Sequence, residues 1–136
     1  MIKQVEFSLG PFPRGVHLIT RQVISNLYEM PEKGLLHLML KHTSAGLTIN
    51  ENADPTVRED MNVFLNNLVP DMFSDFKHIF EGPDDMSAHV KASIIGTSVS
   101  IPITDSVLNL GIWQGIYLCE FRNNASKRKF VATIIG

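Results

Sequence analysis

The sequence predicts an α+β fold: a largely antiparallel, sandwich-like β-sheet core with a few helices. Three observations predict it. Short segments of alternating or continuous apolar character recur along the chain, the mark of strands. A single strong helix signal lies mid-chain, opened by Asp54-Pro55. Strand-like segments then follow one another to the end, without the strand–helix alternation of a parallel sheet. No linker, repeat or low-complexity stretch divides the 136 residues, so residues 1–136 read as one domain.

Residues 2–9 alternate polar and apolar, and Gly10-Pro11-Phe12-Pro13 breaks them. Leu18, Val23, Ile24, Leu27 and Tyr28 have helical spacing, which predicts a helix over 17–29 stopped by Pro31. Strands are expected at 35–41 and 47–50. The run Leu35-Leu36-His37-Leu38-Met39-Leu40 is apolar on both faces and reads as a central strand. Asp54 is an N-cap whose carboxylate accepts from free backbone N–H groups, and Pro55 has no N–H to leave unpaired. Val57, Met61, Phe64, Leu65 and Leu68 form one stripe of this helix, which ends before Pro70. Residues 71–83 make a polar and aromatic loop, and Asp84 or Asp85 caps a short helix to about Ser93. Strands follow near 97–103, 112–121 and 129–135. The last two are joined by Asn123-Asn124-Ala125-Ser126 and read as a hairpin.

Composition narrows the function. A net charge of −2 excludes the basic surplus of a general nucleic-acid binder. No apolar run reaches membrane-helix length, and the alternating start is unlike a signal peptide, so a cytoplasmic protein without membrane partners is the expectation. Cys119 is the only cysteine and lies in an apolar strand, where a thiol behaves as a small hydrophobe.

The densest functional signal is the stretch from His78 to His89, which holds two imidazoles and the carboxylates of Glu81, Asp84 and Asp85. Imidazole and carboxylate bind metals and move protons near neutral pH. His42, at the end of the apolar strand, is a third candidate. These three histidines come from a strand end, a loop and a helix, so spacing alone leaves a shared metal open. His37 sits five residues earlier in the same strand, on the opposite face, and reads as a core histidine. His17 reads as a surface or capping residue. Glu120 interrupts an apolar strand and is either an outward residue or a buried group partnered by a metal or Arg122. Lys91 and Arg128 are candidate phosphate holders, although Lys127-Arg128-Lys129 also reads as a solvated face. No phosphate-binding glycine loop is present, which argues against a nucleoside triphosphate.

Several stretches resemble one family. They are Leu36 through Ala45, Asn50-Glu51-Asn52-Ala53-Asp54-Pro55-Thr56-Val57-Arg58, His78 through Lys91, and Gly111-Ile112-Trp113-Gln114-Gly115-Ile116. Together they resemble the YjbQ-like family, also called secondary thiamine-phosphate synthases, in the same order over almost the whole chain. The resemblance implies an α+β homotrimer with a site built from His42, His78 and His89. It also implies a transferase joining a hydroxymethylpyrimidine diphosphate to a thiazole phosphate. On that reading the three histidines hold a divalent, zinc-like metal. Asp85 or Glu120 completes the shell or orients a histidine, and Lys91, Arg128, Asn52 and Thr43 contact the phosphorylated small molecule. A binding module without turnover and a metal-assisted phosphate-ester hydrolase are the alternatives. The chain departs from the family pattern at Ile112, where threonine is usual, at Gly46, where serine is common, and in an Asn-rich rather than Gly-rich turn before Lys127.

Overall fold

A computed structural model describes residues 1–136. Eight strands and three helices follow in the order β1 (Ile2–Leu9), β2 (Gly15–Leu18), α1 (Thr20–Ser25), β3 (Lys33–Leu40), β4 (Ala45–Glu51), α2 (Pro55–Leu68), α3 (Asp85–Ile95), β5 (Ser98–Thr104), β6 (Val107–Leu108), β7 (Gln114–Glu120) and β8 (Arg128–Ile135). One sheet has the strand order β1-β8-β3-β5-β6 and the other β2-β7-β4. Every pairing is antiparallel.

The sheets face each other across the main core. Leu36, Leu38, Leu40, Ile101, Ile103, Phe130, Ala132 and Ile134 of the large sheet meet Ala45, Leu47, Ile116 and Leu118 of the small one. On the small sheet's other face, Val16, Tyr117, Cys119 and Phe121 pack with Leu65 of α2 and with Ala88 and Ala92 of α3. The layers are therefore five strands, three strands, then two helices. β7 is central to the small sheet and covered on both sides, so residues 115–120 are all buried. Burial of this kind pushes the Cys119 thiol up to about 12, as expected of an inert residue. No helix is long and apolar enough to cross a membrane.

Most expected elements stand, with three corrections. The helix placed over 17–29 begins only at Thr20, because Gly15–Leu18 pairs with β7 instead. His17 is thus a strand residue, with Nε2 2.6 Å from the Pro13 carbonyl and its ring stacked on Phe12. The segments β7 and β8 are not a hairpin, since they lie in opposite sheets. His37 lies outside the core: the inward residues of β3 are Leu36, Leu38 and Leu40, and His37 is half-buried on the outer face. The strand is central as expected, between β8 and β5, but Leu35 and Met39 on that outer face are exposed. In α2 the Asp54 carboxylate accepts from Thr56 N–H at 2.9 Å. Of its stripe only Leu65 is fully covered, while Phe64 and Leu68 remain exposed.

The glycine at position 46 has a packing reason. β4 passes so close to the end of α3 that a Cβ there would lie 2.9 Å from Ile95 Cγ2 and 3.1 Å from the Gly96 carbonyl. In the same approach Leu47 N–H donates to the Gly96 carbonyl at 2.9 Å. Gly46→Ser is expected to lower stability by about 1–3 kcal/mol through overpacking, read as a drop in the thermal midpoint.

Candidate functional site

The candidate site forms where the 71–83 loop meets the start of α3. Asp84 occupies the N-cap position of α3, but its side chain does not cap. It accepts instead from Arg122 Nε at 3.1 Å and from the Asn123 N–H at 2.7 Å. Burial works to raise the Asp84 carboxyl, but these donors outweigh it and hold it below the usual carboxylate range. The guanidinium of Arg122 also binds Asp85 Oδ1, and its Nη2 donates to the Glu81 carbonyl at 3.0 Å. One arginine from the strand end after β7 thereby anchors the loop and both aspartates.

With Oδ1 committed to Arg122, Asp85 turns Oδ2 toward two imidazoles. His78 Nε2 lies 2.7 Å from it, and His89 Nε2 lies 3.0 Å from it. Asp85 and His89 are four residues apart and share one face of α3. One atom from each of His78, Asp85 and His89 falls within 4.8 Å of the others, a spacing that fits a metal ligand set. Burial again favours a raised Asp85 carboxyl. The hydrogen bond from His78, and the neighbouring His89 and Arg122, outweigh it and keep Asp85 below its usual range.

The tautomer of His89 sharpens this geometry. A carbonyl oxygen only accepts, so His89 Nδ1 donates to the Thr43 carbonyl at 2.8 Å. A neutral His89 then aims its Nε2 lone pair at the Asp85 carboxylate. Two acceptors at that distance repel unless a proton or a cation lies between them. The donor set of two imidazoles and one carboxylate suits a zinc-like ion, and the Thr43 contact fixes the histidine orientation that such ligands need.

His42 stands apart from this trio. Lys129 N–H donates to His42 Nε2 at 2.8 Å, so a neutral His42 keeps its proton on Nδ1. Burial first, and then the charge of Arg128, hold His42 below the ordinary histidine range. His42 and His89 do line one open cleft of about 420 Å³, with Thr43, Ala92, Ser93 and Thr97. Of the three expected histidines the structure brings His78 and His89 together with Asp85, and His42 lies apart, on the cleft it shares with His89.

The other expected contacts lie elsewhere. Glu120 is fully buried between the sheets and takes Arg128 as partner: Arg128 Nε donates at 2.7 Å and Nη2 binds the second oxygen. Arg122 offers Glu120 only its backbone N–H, at 3.2 Å. Arg128 Nη2 also reaches the Ser44 carbonyl at 3.2 Å, so its Nε and Nη2 are committed to Glu120 and Ser44. Lys91 points away from the histidines. Its Nζ donates to Asn66 Oδ1 at 2.9 Å and lies 5.0 Å from the Phe121 ring centroid, and burial pushes its amine down to about 8. Asn52 Nδ2 donates to the carbonyls of Ile112 (3.2 Å) and Gln114 (3.0 Å), tying β4 to the turn before β7.

A network absent from the sequence reading secures α3 from behind. Arg14 grips Asp71 with both terminal nitrogens, at 2.8 and 3.0 Å, and reaches Asn66 at 2.9 Å, while Ser87 donates to Asp71. The Arg14 guanidinium first, and then Ser87, hold the Asp71 carboxyl below its usual range against burial. A folded-state pKa below the unfolded one stabilises above the unfolded value and is lost as pH falls through the folded one. The Arg14→Met variant is therefore expected to lose stability at neutral pH and to show a flatter acid limb below about pH 4, measured by urea titration at stepped pH.

Comparison with known proteins fits this architecture. The family model described as "UPF0047 protein YjbQ-like" matches residues 5–136. The chain belongs to the YjbQ-like family. The YjbQ protein of Escherichia coli O157:H7 is 45% identical over 135 residues, covering 98% of this chain and 97% of that protein. The MJ1081 protein of Methanocaldococcus jannaschii is 44% identical, covering 87% of this chain and 83% of its own. Among solved structures, a YjbQ-like protein of Clostridium acetobutylicum superposes with a TM-score of 0.81 at 39% identity, covering 96% of this chain and 99% of its own. The TT1486 protein of Thermus thermophilus gives a TM-score of 0.82 at 33% identity, covering 93% and 97%. In this YjbQ-like chain the motif histidines fall in two places, His78 and His89 beside Asp85 and His42 on the cleft wall.

Proposed function

We propose that His78, Asp85 and His89 hold a divalent, zinc-like metal, and that the protein uses it on a phosphorylated small molecule. The reaction in this reading is the transfer implied by the family resemblance: a hydroxymethylpyrimidine diphosphate joins a thiazole phosphate with loss of diphosphate. The observation that carries the reading is the convergence of two imidazole nitrogens on one oxygen of Asp85, with His89 Nδ1 already committed to Thr43. A metal there would supply charge neutralisation for a departing diphosphate.

The chain's own residues have distinct tasks. Arg122 fixes the Asp85 carboxylate so that Oδ2 faces the histidines. The Thr43 carbonyl orients His89. His42, held by Lys129 N–H, offers Nδ1–H as a donor for an anionic oxygen in the cleft, joined there by the hydroxyls of Thr43 and Thr97. These groups take the place of Lys91, which is bound to Asn66.

The homotrimer belongs to the same proposal. The outer face of the large sheet leaves Ile2, Leu35, Met39 and Ile135 exposed, and this apolar row favours self-association. Light scattering at micromolar concentration reads it directly, and a monomer mass removes the trimer. Metal analysis followed by single-turnover assay tests the chemistry. Thiamine phosphate formed from the two precursors supports the transfer. Release of phosphate from simple esters alone favours the hydrolase. Tight ligand binding with no product in either assay favours a binding module.

A further inference from the structure

His78 faces two environments. On one side it meets Asp85 and His89, whose ring centroid lies 5.5 Å from its own. On the other it lines an open cavity of about 630 Å³ formed by the 71–83 loop and the start of α3. Phe73, Phe76, Ile79, Phe80 and Met86 supply the apolar wall of that cavity. Phe73 and Phe76 are tilted against each other with centroids 5.1 Å apart.

These side chains are not a completed core. Phe80 is 92% exposed, Ile79 59% and Phe73 49%, although all belong to one short loop. Exposed aromatics at this density, rimmed by polar groups, mark a binding surface. The loop is nonetheless held: Asp71 at its start binds Arg14 and Ser87, and the Glu81 carbonyl near its end binds Arg122. The cavity therefore has anchored ends, a volume in the range of small-ligand sites and a histidine shared with the candidate metal centre. The cleft on the far side of that centre, beyond His89, is lined mostly by polar groups. A ligand spanning both has a charged end and a flat apolar end.

We infer that the cavity between the 71–83 loop and α3 seats a planar aromatic ring, carried by the ligand whose phosphate sits at His78, Asp85 and His89. This assignment rests on the metal–phosphate reading above and adds the residues that select the ligand: Phe76 and Phe80 as faces for the ring, with Ile79 and Met86 at its edges. Offset or edge-on aromatic contacts of this kind favour a ring over an alkyl group of equal charge.

Calorimetry on the zinc-loaded full chain with phenyl phosphate and methyl phosphate tests it. The two probes share the phosphate and differ in the ring. Phenyl phosphate is expected to bind about tenfold or more tightly than methyl phosphate. The advantage shrinks in Phe80→Ala and in Phe76→Leu, with methyl phosphate binding unchanged in both. Nuclear Overhauser contacts from the phenyl protons to the Met86 methyl group locate the ring. Equal affinity for the two esters with zinc bound overturns the ring site alone, as does a preference that survives both substitutions. A Phe80 already shielded by a second copy, and unmoved by phenyl phosphate, also overturns it. Absence of both zinc binding and ester binding in the unmodified protein overturns this inference together with the reading beneath it.

Discussion

Replacing His89 with alanine is expected to strip metal from the protein, whereas His42→Ala leaves the metal in place. Groups that merely orient a ligand change metal affinity by about 10–100-fold, so loss of a ligand should exceed that range. His89 supplies Nε2 to the Asp85 side of the site, while His42 has its Nε2 committed to Lys129 N–H. Both substitutions should abolish or sharply reduce turnover, but for different reasons: one empties the centre, the other removes a donor from the cleft. Metal analysis of the purified proteins separates them. Equal loss of metal from both variants would return His42 to the ligand set. Equal retention in both would remove His89 from it. Thermal melting of each variant checks that the fold survives.

The largest effect on stability is expected at the ion pair inside the sandwich. Glu120 is fully buried and Arg128 nearly so, and each is the other's charged partner across the two sheets. Removing one partner leaves an uncompensated buried charge, which costs about 3–5 kcal/mol. That is a large share of the roughly 5–15 kcal/mol that holds a typical domain together. Glu120→Ala and Arg128→Ala are each expected to lower the urea midpoint steeply. The double replacement Glu120→Met with Arg128→Met should be much milder than the sum of the single losses, because buried pairs often exchange for apolar residues at little cost. Additive losses would show that the two side chains act independently.

These two predictions also mark where sequence reasoning reaches and where it stops. The Asp54 cap, the period-2 start and the central apolar strand are local patterns, and they become α2, β1 and β3 with small shifts in boundary. The grouping of Asp85 with His89 is likewise local, since four residues place them on one helical face. The start of α1 escapes the sequence because Val16, His17 and Leu18 suit either a helix or a strand, and pairing with β7 decides between them. Nothing in the short Asn-rich turn reveals that β7 and β8 enter different sheets. For that reason the positions of Glu120 and Arg128 alone do not match them as partners. No local signal singles out Arg14, Asn66, Asp71 and Ser87 as one network, because their contacts join the start of β2, two helices and a loop.

The stretch from His78 to His89 and the family motifs are therefore legible in the sequence by itself, as are the α+β class and the chief helix. Side-chain type and helical or strand periodicity are properties of neighbouring residues. Only the tertiary structure decides which ring nitrogens of His42 and His89 meet backbone groups, that Asp85 rather than His42 lies beside the other two histidines, and that Lys91 turns to Asn66 while Arg128 pairs with Glu120. Each of those outcomes depends on a backbone group or a charge brought from a distant part of the chain, and periodicity carries no record of such partners.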